Sequence, residues 1–462
     1  MIRLYTLTSV LHREMAACAA DEPFIQSIQT ALGEPFTYRG EDFSDYGSGD
    51  AVDLIYVRTG GTEGLFLKEF RPVWKKVHLL ASGESNSLAA SMEILSFLNR
   101  NGLSGEILHG TPQEIAARLK GSASCPSADF IKPLHPSKIL AGTRYGVIGK
   151  PSDWLISSDV DYAKAKEVLG AELIDIPIEE LVSIWKESAA AAQENSGEAE
   201  LFPKGVLCSA ERNSRAAEAD SAATATEFRT AEWKEPSANS ALADSPCRYA
   251  ANALKPLNVP KYGNPISEAA FEKAVRVYKS LCTIVDKYKL NGLTLRCFDL
   301  LTSIGTTGCL GLALLNSQGI VATCEGDVPA MLSMAVAQRV TGTPGFQVNL
   351  SKITGDDLLF AHCTVPLNIV RNYCYDTHFE SGIGVAIHGE FAEGPMTLFK
   401  IGAKLHEFVA EDVTLTANQY GDNLCRTQVH IQGPGLSDYL LRNPLGNHHI
   451  LLPGHHARDL AR

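Results

Sequence analysis

The chain has 462 residues, of which 45% are apolar and 20% charged, a globular composition long enough for two or three hydrophobic cores. Its formal net charge is −12, and no Lys/Arg cluster interleaved with aromatics is available to track a phosphate backbone, so nucleic acid is not an expected partner. No run approaches the roughly 18 apolar residues that a membrane span needs. The opening "MIRLYTLTSVLHREMAACAADE" meets charged residues too early for a secretory apolar region, which predicts a cytoplasmic protein without a membrane partner. The 11 cysteines contain no CxxC pair and fit reduced packing residues better than a disulfide framework.

Along the first third, β-rich runs alternate with helical patterns: "AVDLIYVRT", "TEGLFLKEFRPVW", "KKVHLLA", "NSLAASMEILSFLNRNG", "SGEILHG" and "TPQEIAARLKG". That rhythm predicts a parallel sheet covered on both faces, an α/β domain over residues 1–138. The pattern restarts at "TRYGVIGKPSDWLIS", whose Gly-Lys-Pro reads as a turn after a strand, being neither a GxGxxG nor a Walker loop. A second α/β domain is expected over 139–345, carrying an Ala/Ser/Glu-rich segment at 187–260 for which periodicity does not choose between helix and linker. A helix opened by Ser267 and closed by Asn291-Gly292 leads to strand "LTLRCFDLL", helix "TTGCLGLALLNSQG" and strand "VATC". From Phe346 on, period-two alternation with Gly and Pro punctuation predicts an antiparallel β-barrel-like domain over 346–462.

Polar residues of catalytic type gather in the second half. Glu325 and Asp327, separated by one glycine, end the "VATC" strand, at the carboxyl edge where open α/β sheets bind ligands. Asp327 is equally suited to cap the helix that follows. His362 interrupts an apolar strand, and "GNHHILLPGHH" concentrates His448, His449, His455 and His456. Adjacent histidines on a regular strand point to opposite faces, so at most one of His448 and His449 can serve a given site. Carboxylate and imidazole together suit Mn²⁺, Fe²⁺ or Co²⁺. Such an ion can hold two adjacent sugar oxygens and stabilise an enediolate while a carboxylate moves the proton. No HExxH or structural zinc spacing is present, which leaves a zinc hydrolase the weaker reading.

The run "TLRCFDLLTSIGTTGCLGLALLNSQGIVATCEGDVPAMLSMAVAQRVTGTP", with "FAHCTVP", "THFESGIGVAIHG" and "GNHHILLPG", resembles the L-fucose isomerase and L-arabinose isomerase family. The resemblance implies two doubly wound, Rossmann/flavodoxin-like α/β domains before a β domain, a homo-oligomer (trimer or hexamer) and Mn²⁺-dependent aldose–ketose isomerisation of a small-molecule sugar. It makes Glu325 a metal ligand that also handles protons, His362 a metal-associated histidine, and His448 or His449 the late ligand. Asp327 is placed beside this catalytic chemistry. The second acidic ligand and proton-transfer residue of the family falls on Asn349, whose amide oxygen can ligate but lacks a carboxylate's charge and basicity. A catalytically impaired homologue that binds carbohydrate, or an inactive partner, is therefore the competing expectation. His378 and Glu380 are expected as pocket groups, and Arg296 and Arg371 as contacts for an anionic substituent.

Overall fold

The computed structural model describes residues 1–9, 18–72, 74, 76–121, 130–194 and 266–462; most of the 187–260 segment lies outside them. The first sheet comprises β1 (Ile2–Leu7), β2 (Phe36–Gly40), β3 (Val52–Val57), β4 (Val77–Ala81) and β5 (Gly105–Leu108). All its pairings are parallel, in the order 2-1-3-4-5, which is the doubly wound flavodoxin-like order. Helices α1 (Pro23–Leu32), α2 (Glu63–Glu69) and α3 (Ser87–Arg100) make crossovers, and α4 (Pro112–Leu119) follows β5. Strand β1, unmarked in the sequence reading, lies between β2 and β3 with all six residues buried. Its one charge, Arg3, is matched in register by Asp53 and bonds it with two nitrogens at 2.5 and 2.8 Å, the bidentate pairing that makes a buried guanidinium tolerable.

After a two-residue strand, β6 (Lys132–Pro133), a second parallel sheet forms from β7 (Arg144–Ile148), β8 (Glu172–Ile176), β9 (Gly292–Leu295) and β10 (Val321–Cys324), in the order 10-9-7-8. Its helices are α5 (Tyr162–Val168), α6 (Ile178–Glu194), α7 (Glu268–Tyr288), α8 (Asp299–Ser303), α9 (Cys309–Ser317) and α10 (Val328–Thr341). Ser267 caps α7 by accepting from the Ala270 amide, as its position predicts. The helix stops three residues before the expected Asn291-Gly292, because Lys289 turns left-handed at φ 55° and Leu290 N–H bonds back to Val285. Asn291 instead accepts from the Arg144 amide through its side chain.

The third unit contains β11 (Phe346–Thr354), β12 (Asp357–His362), the hairpin β13 (Asn372–Asp376) and β14 (Ala386–Glu390), β15 (Gly394–Ile401), β16 (Glu407–Gln419), β17 (Thr427–Gln432), α11 (Leu436–Arg442), β18 (His449–Pro453) and α12 (Ala457–Leu460). Six strands run in the order 15-18-11-12-17-16, and the pairing of β15 with β16 closes them into an antiparallel barrel. Closure removes the exposed edges that an open sheet would present. Strand β6 extends the sheet beyond β16, so a segment preceding the second α/β sheet joins the barrel.

Glu93 on α3 joins these units. Fully buried, it accepts from the Ser157 amide at 2.7 Å with one oxygen and from the Asn447 amide at 3.0 Å with the other. It thereby ties the first sheet's longest helix to a loop of the second and to the segment entering β18. Burial, and next the field of Asp327, raise its pKa, and the amides supply the donors that a sequestered carboxylate requires.

The turn between β10 and α10 is built for one backbone path. Glu325 and Gly326 both have positive φ, 65° and 72°. A Cβ on Gly326 would collide with the Lys150 carbonyl and lie 2.8 Å from Pro151 Cα. The Glu325 carbonyl accepts from Ser152, and Gly326 N–H donates to Leu295. Gly326→Ala adds a left-handed penalty of about 1–2 kcal/mol to an overpacking cost of about 1–3 kcal/mol. We expect denaturant unfolding to show a loss of about 2 kcal/mol or more; a change below about 0.5 kcal/mol would contradict this account.

Candidate metal centre

Glu325 leaves β10 at the carboxyl edge of the second sheet with its carboxylate directed by two sides of the structure. Trp154 Nε1 donates to Oε2 at 2.6 Å. The other oxygen, Oε1, lies 3.3 Å from His448 Nε2 and 4.0 Å from His362 Nε2. The three donor atoms fall within 4.8 Å of one another.

Each imidazole is oriented from behind. His362, at the end of β12, has Nδ1 3.0 Å from Thr364 Oγ1, while His448 has Nδ1 2.8 Å from Asp327 Oδ2. Both rings therefore turn Nε2 toward Glu325, with centroids 5.5 Å apart. An Nδ1 bond to a carboxylate or hydroxyl is the usual support of a ligating imidazole, because it fixes both tautomer and ring angle.

Asp327 has the orienting and capping role that its position allowed. Oδ1 accepts from the Ala330 amide at 2.7 Å, Oδ2 holds His448, and buried Lys400 Nζ lies 3.8 Å from Oδ1. Burial opposes its charge, but Lys400 and His448 overcome that and hold the carboxyl down at about 2. Burial likewise works against a charged His448, yet Glu325 and Asp327 lift it to about 10. For Glu325 too, burial is outweighed by His448 and His362, and the carboxyl stays ionised. His362 is pushed down to about 3 by burial and then by the neighbouring imidazolium, so its nitrogen is free of a proton.

His449 does not join the cluster. Its Nε2 is 2.8 Å from Tyr439 Oη and its Nδ1 3.0 Å from the Asn447 carbonyl, on the opposite side of the chain from His448, as alternation along an extended segment requires. The segment's fully buried "HHILL" gives no polar–apolar contrast to decide which histidine turns inward.

Asn349 lies on β11 and pairs in register with Ala361, the residue before His362 on β12. Val348 pairs with His449, so one step along the same ladder sets Asn349 opposite His448. Its side chain is buried and Oδ1 accepts no hydrogen bond; His448 Nε2 is also without a hydrogen-bond partner. Such orphaned polar atoms are costly unless a ligand completes them. Two imidazole nitrogens and one carboxylate oxygen therefore fit a divalent transition metal with coordination positions left open.

The pocket residues divide differently from expectation. Arg296 is committed elsewhere: it bonds both oxygens of Asp153 at 2.9 and 3.1 Å and Asp299 at 3.1 Å. Arg371 pairs with Glu390 at the surface. Neither offers a free fork to an anion. His378 does face a narrow pocket, together with Cys297, Phe298, Leu301, Thr307 and Cys309. Glu380 is held at 2.8 Å by Asn86 of the first sheet's loops. Trp154, Glu93, Lys400, Thr364 and Asn86 were not foreseen. Trp154 stands in the "GKPSDWL" turn, and only its spatial approach to Glu325 reveals its use.

No protein-family model matches the chain. It is 30% identical over 146 residues to the sulfoquinovose isomerase of Clostridium sp. (strain MSTE9), an alignment that spans 28% of this chain and 31% of that relative. The similarity therefore extends over about a third of the relative's length.

The two neighbouring histidines separate function from support. His448→Ala removes a ligating nitrogen and is expected to weaken Mn²⁺ binding by at least the 10- to 100-fold typical of changes around a metal site, roughly. His449→Ala is expected to leave Mn²⁺ stoichiometry intact but to leave Tyr439 Oη with only the Leu445 amide as partner, costing about 1–3 kcal/mol in unfolding. Calorimetric titration and denaturation of both variants check the pair. Because Mn²⁺ must displace the proton from His448, affinity should rise with pH between about 6 and 9, by up to about tenfold per unit for one released proton. A flat profile would exclude His448 as the ligand.

Proposed function

We propose that this protein is a divalent-cation-dependent aldose–ketose isomerase, L-fucose isomerase-like in its site, that works through an enediolate. The observation that supports it is the convergence of Glu325 with the Nε2 atoms of His362 and His448 at the carboxyl edge of a parallel sheet. The similarity to a sulfoquinovose isomerase lends this reading its sugar chemistry. Sulfoquinovose, L-fucose and L-arabinose are the first substrates to test.

Glu325, His362 and His448 would hold the cation, with Mn²⁺ preferred for a mixed oxygen and nitrogen donor set. When bound, that cation supplies a Lewis acid that polarises the sugar carbonyl and stabilises negative charge on its oxygen. The protein's own groups do the rest. Trp154 fixes the rotamer of Glu325 through Oε2, Asp327 keeps a proton on His448 Nδ1 so that Nε2 is a donor, and buried Lys400 stabilises the charge on Asp327. We take the assembly to be a homo-oligomer, as in the family that the sequence resembles.

Asn349 favours a second reading, an isomerase-like protein that retains sugar binding without turnover. The amide supplies an oxygen but no charge, which lowers affinity for a hard cation, and it cannot accept a proton at neutral pH.

Purified protein dialysed against Mn²⁺ should retain one ion per chain by elemental analysis, and Glu325→Ala should retain none. Asn349→Asp should tighten Mn²⁺ by about tenfold or more through added ligand charge. Metal retention with turnover of any aldose supports the isomerase. Retention with sugar-dependent thermal stabilisation and no turnover supports the binding protein. Absence of metal from the wild type would remove both cation-based readings.

A further inference from the structure

If the protein isomerises an aldose, a proton must leave C2 and reach C1, and a carboxylate has to carry it. Asn349 stands where the resemblance placed that group and cannot act as a base. The remaining buried carboxylates near the cluster are almost all committed. Both oxygens of Asp327 are engaged by Ala330, His448 and Lys400, and both of Glu93 by the Ser157 and Asn447 amides. Glu63, at the first position of α2, has an Oε2 without a hydrogen-bond partner but is only 2% exposed.

Glu380 differs from each of these. A single oxygen is anchored, by Asn86 Nδ2 at 2.8 Å, and the residue is only partly buried. Its loop is rigid: His378 N–H donates to Ile383, Gly382 N–H donates to His378, and Ser381 Oγ lies 3.0 Å from His378 Nδ1. The loop is also located by a chain of rings that begins at Glu325. Trp154, which donates to Glu325, stacks edgewise on Phe298 at 5.0 Å, and Phe298 on His378 at 5.5 Å. Glu325 and the loop that carries Glu380 are thus joined through Trp154, Phe298 and His378, and the field of Glu325 acts on the Glu380 carboxyl.

Asn86 reinforces the assignment. It is 8% exposed, occupies the left-handed region at φ 58°, and its Oδ1 has no partner. A buried amide that spends its nitrogen on Glu380 and leaves its oxygen unmatched is suited to a hydroxyl donor, which a polyol supplies.

We propose that Glu380 is the carboxylate that transfers the carbon-bound proton, in place of the acid missing at Asn349; this rests on the isomerase reading above. Glu380 takes the proton from C2 of the open-chain aldose, and the C–H electron pair becomes the C1=C2 bond. The carbonyl π pair moves onto O1. The protonated Glu380 then returns its proton to C1, while the proton of O2 passes to O1 and C2=O forms, so atoms and charge balance. Burial, followed by the nearby Glu325 charge, raises the Glu380 carboxyl to about 7, in the range where one group can both take and return a proton at neutral pH.

The test uses the full-length protein loaded with Mn²⁺, assayed on sulfoquinovose, L-fucose and L-arabinose. Glu380→Gln keeps an oxygen for Asn86 and is expected to retain wild-type Mn²⁺ stoichiometry and a KM within about threefold. Its kcat should fall by about 10²- to 10⁴-fold, with equal loss of deuterium wash-in at C1 from D₂O. Asn86→Ala leaves the carboxyl but frees it, and should lower kcat by about tenfold while metal content holds, a second route should the Gln variant not fold. A Gln variant that keeps kcat within threefold of an active wild type overturns the role of Glu380 and leaves the isomerase reading standing. A wild type that holds Mn²⁺ and converts none of the three sugars overturns both.

Discussion

The rest of the site depends on one buried chain of charge, Lys400 to Asp327 to His448 to Glu325. Two carboxylates, an imidazole and an ammonium are all withdrawn from water here, and isolated charges in such a setting would neutralise themselves. They persist because each is adjacent to its opposite. Removing one member leaves the next uncompensated, which is more damaging than replacing the whole set with apolar residues. Two atoms in the chain, Lys400 Nζ and His448 Nε2, have no hydrogen-bond partner, and of these His448 Nε2 is the one that faces Glu325.

That arrangement draws on all three sheets. Asp327 and Glu325 come from the end of β10, His448 from the entry to β18, Lys400 from β15 and His362 from β12. Glu93, on a helix of the first sheet, bonds the backbone beside His448 and feels the charge of Asp327. Folding of the first sheet is thus coupled to the angle at which an imidazole meets Glu325. Buried polar networks of this sort cost stability when partly satisfied and fix a single geometry when complete.

The wall opposite His448 is of a different kind. Trp154, Phe298 and His378 form a run of edge-on rings, and Cys297, Cys309 and Thr307 line a narrow pocket with Phe298 and His378. Thiols pack there as small apolar groups, and the described cysteines are all free, six of the eight buried, in keeping with their scattered spacing. Burial, opposed by Glu325 and aided by Arg426, holds the His378 imidazole down at about 4, so at neutral pH this ring is uncharged.

Much of this was legible in the sequence. The alternation of strand and helix followed by period-two β-structure indicated the parallel sheets and the antiparallel barrel, because side-chain periodicity is a local property. The glycine between Glu325 and Asp327 marked a tight turn, and Asp327 before "VPAML" marked a helix cap, again from local backbone chemistry. Tertiary structure decided what spacing could not. "NHHILL" contains two equivalent histidines, and only the pairing of β18 with β11 determined that His448 faces Glu325 and His449 faces Tyr439. Arg296 looked available to an anion until Asp153 and Asp299 were found on its guanidinium. Trp154, Lys400 and Asn86 lie 171, 75 and 239 residues from Glu325 along the chain. Their roles arise from proximity in space, and no pattern within a segment records which distant segment it will meet.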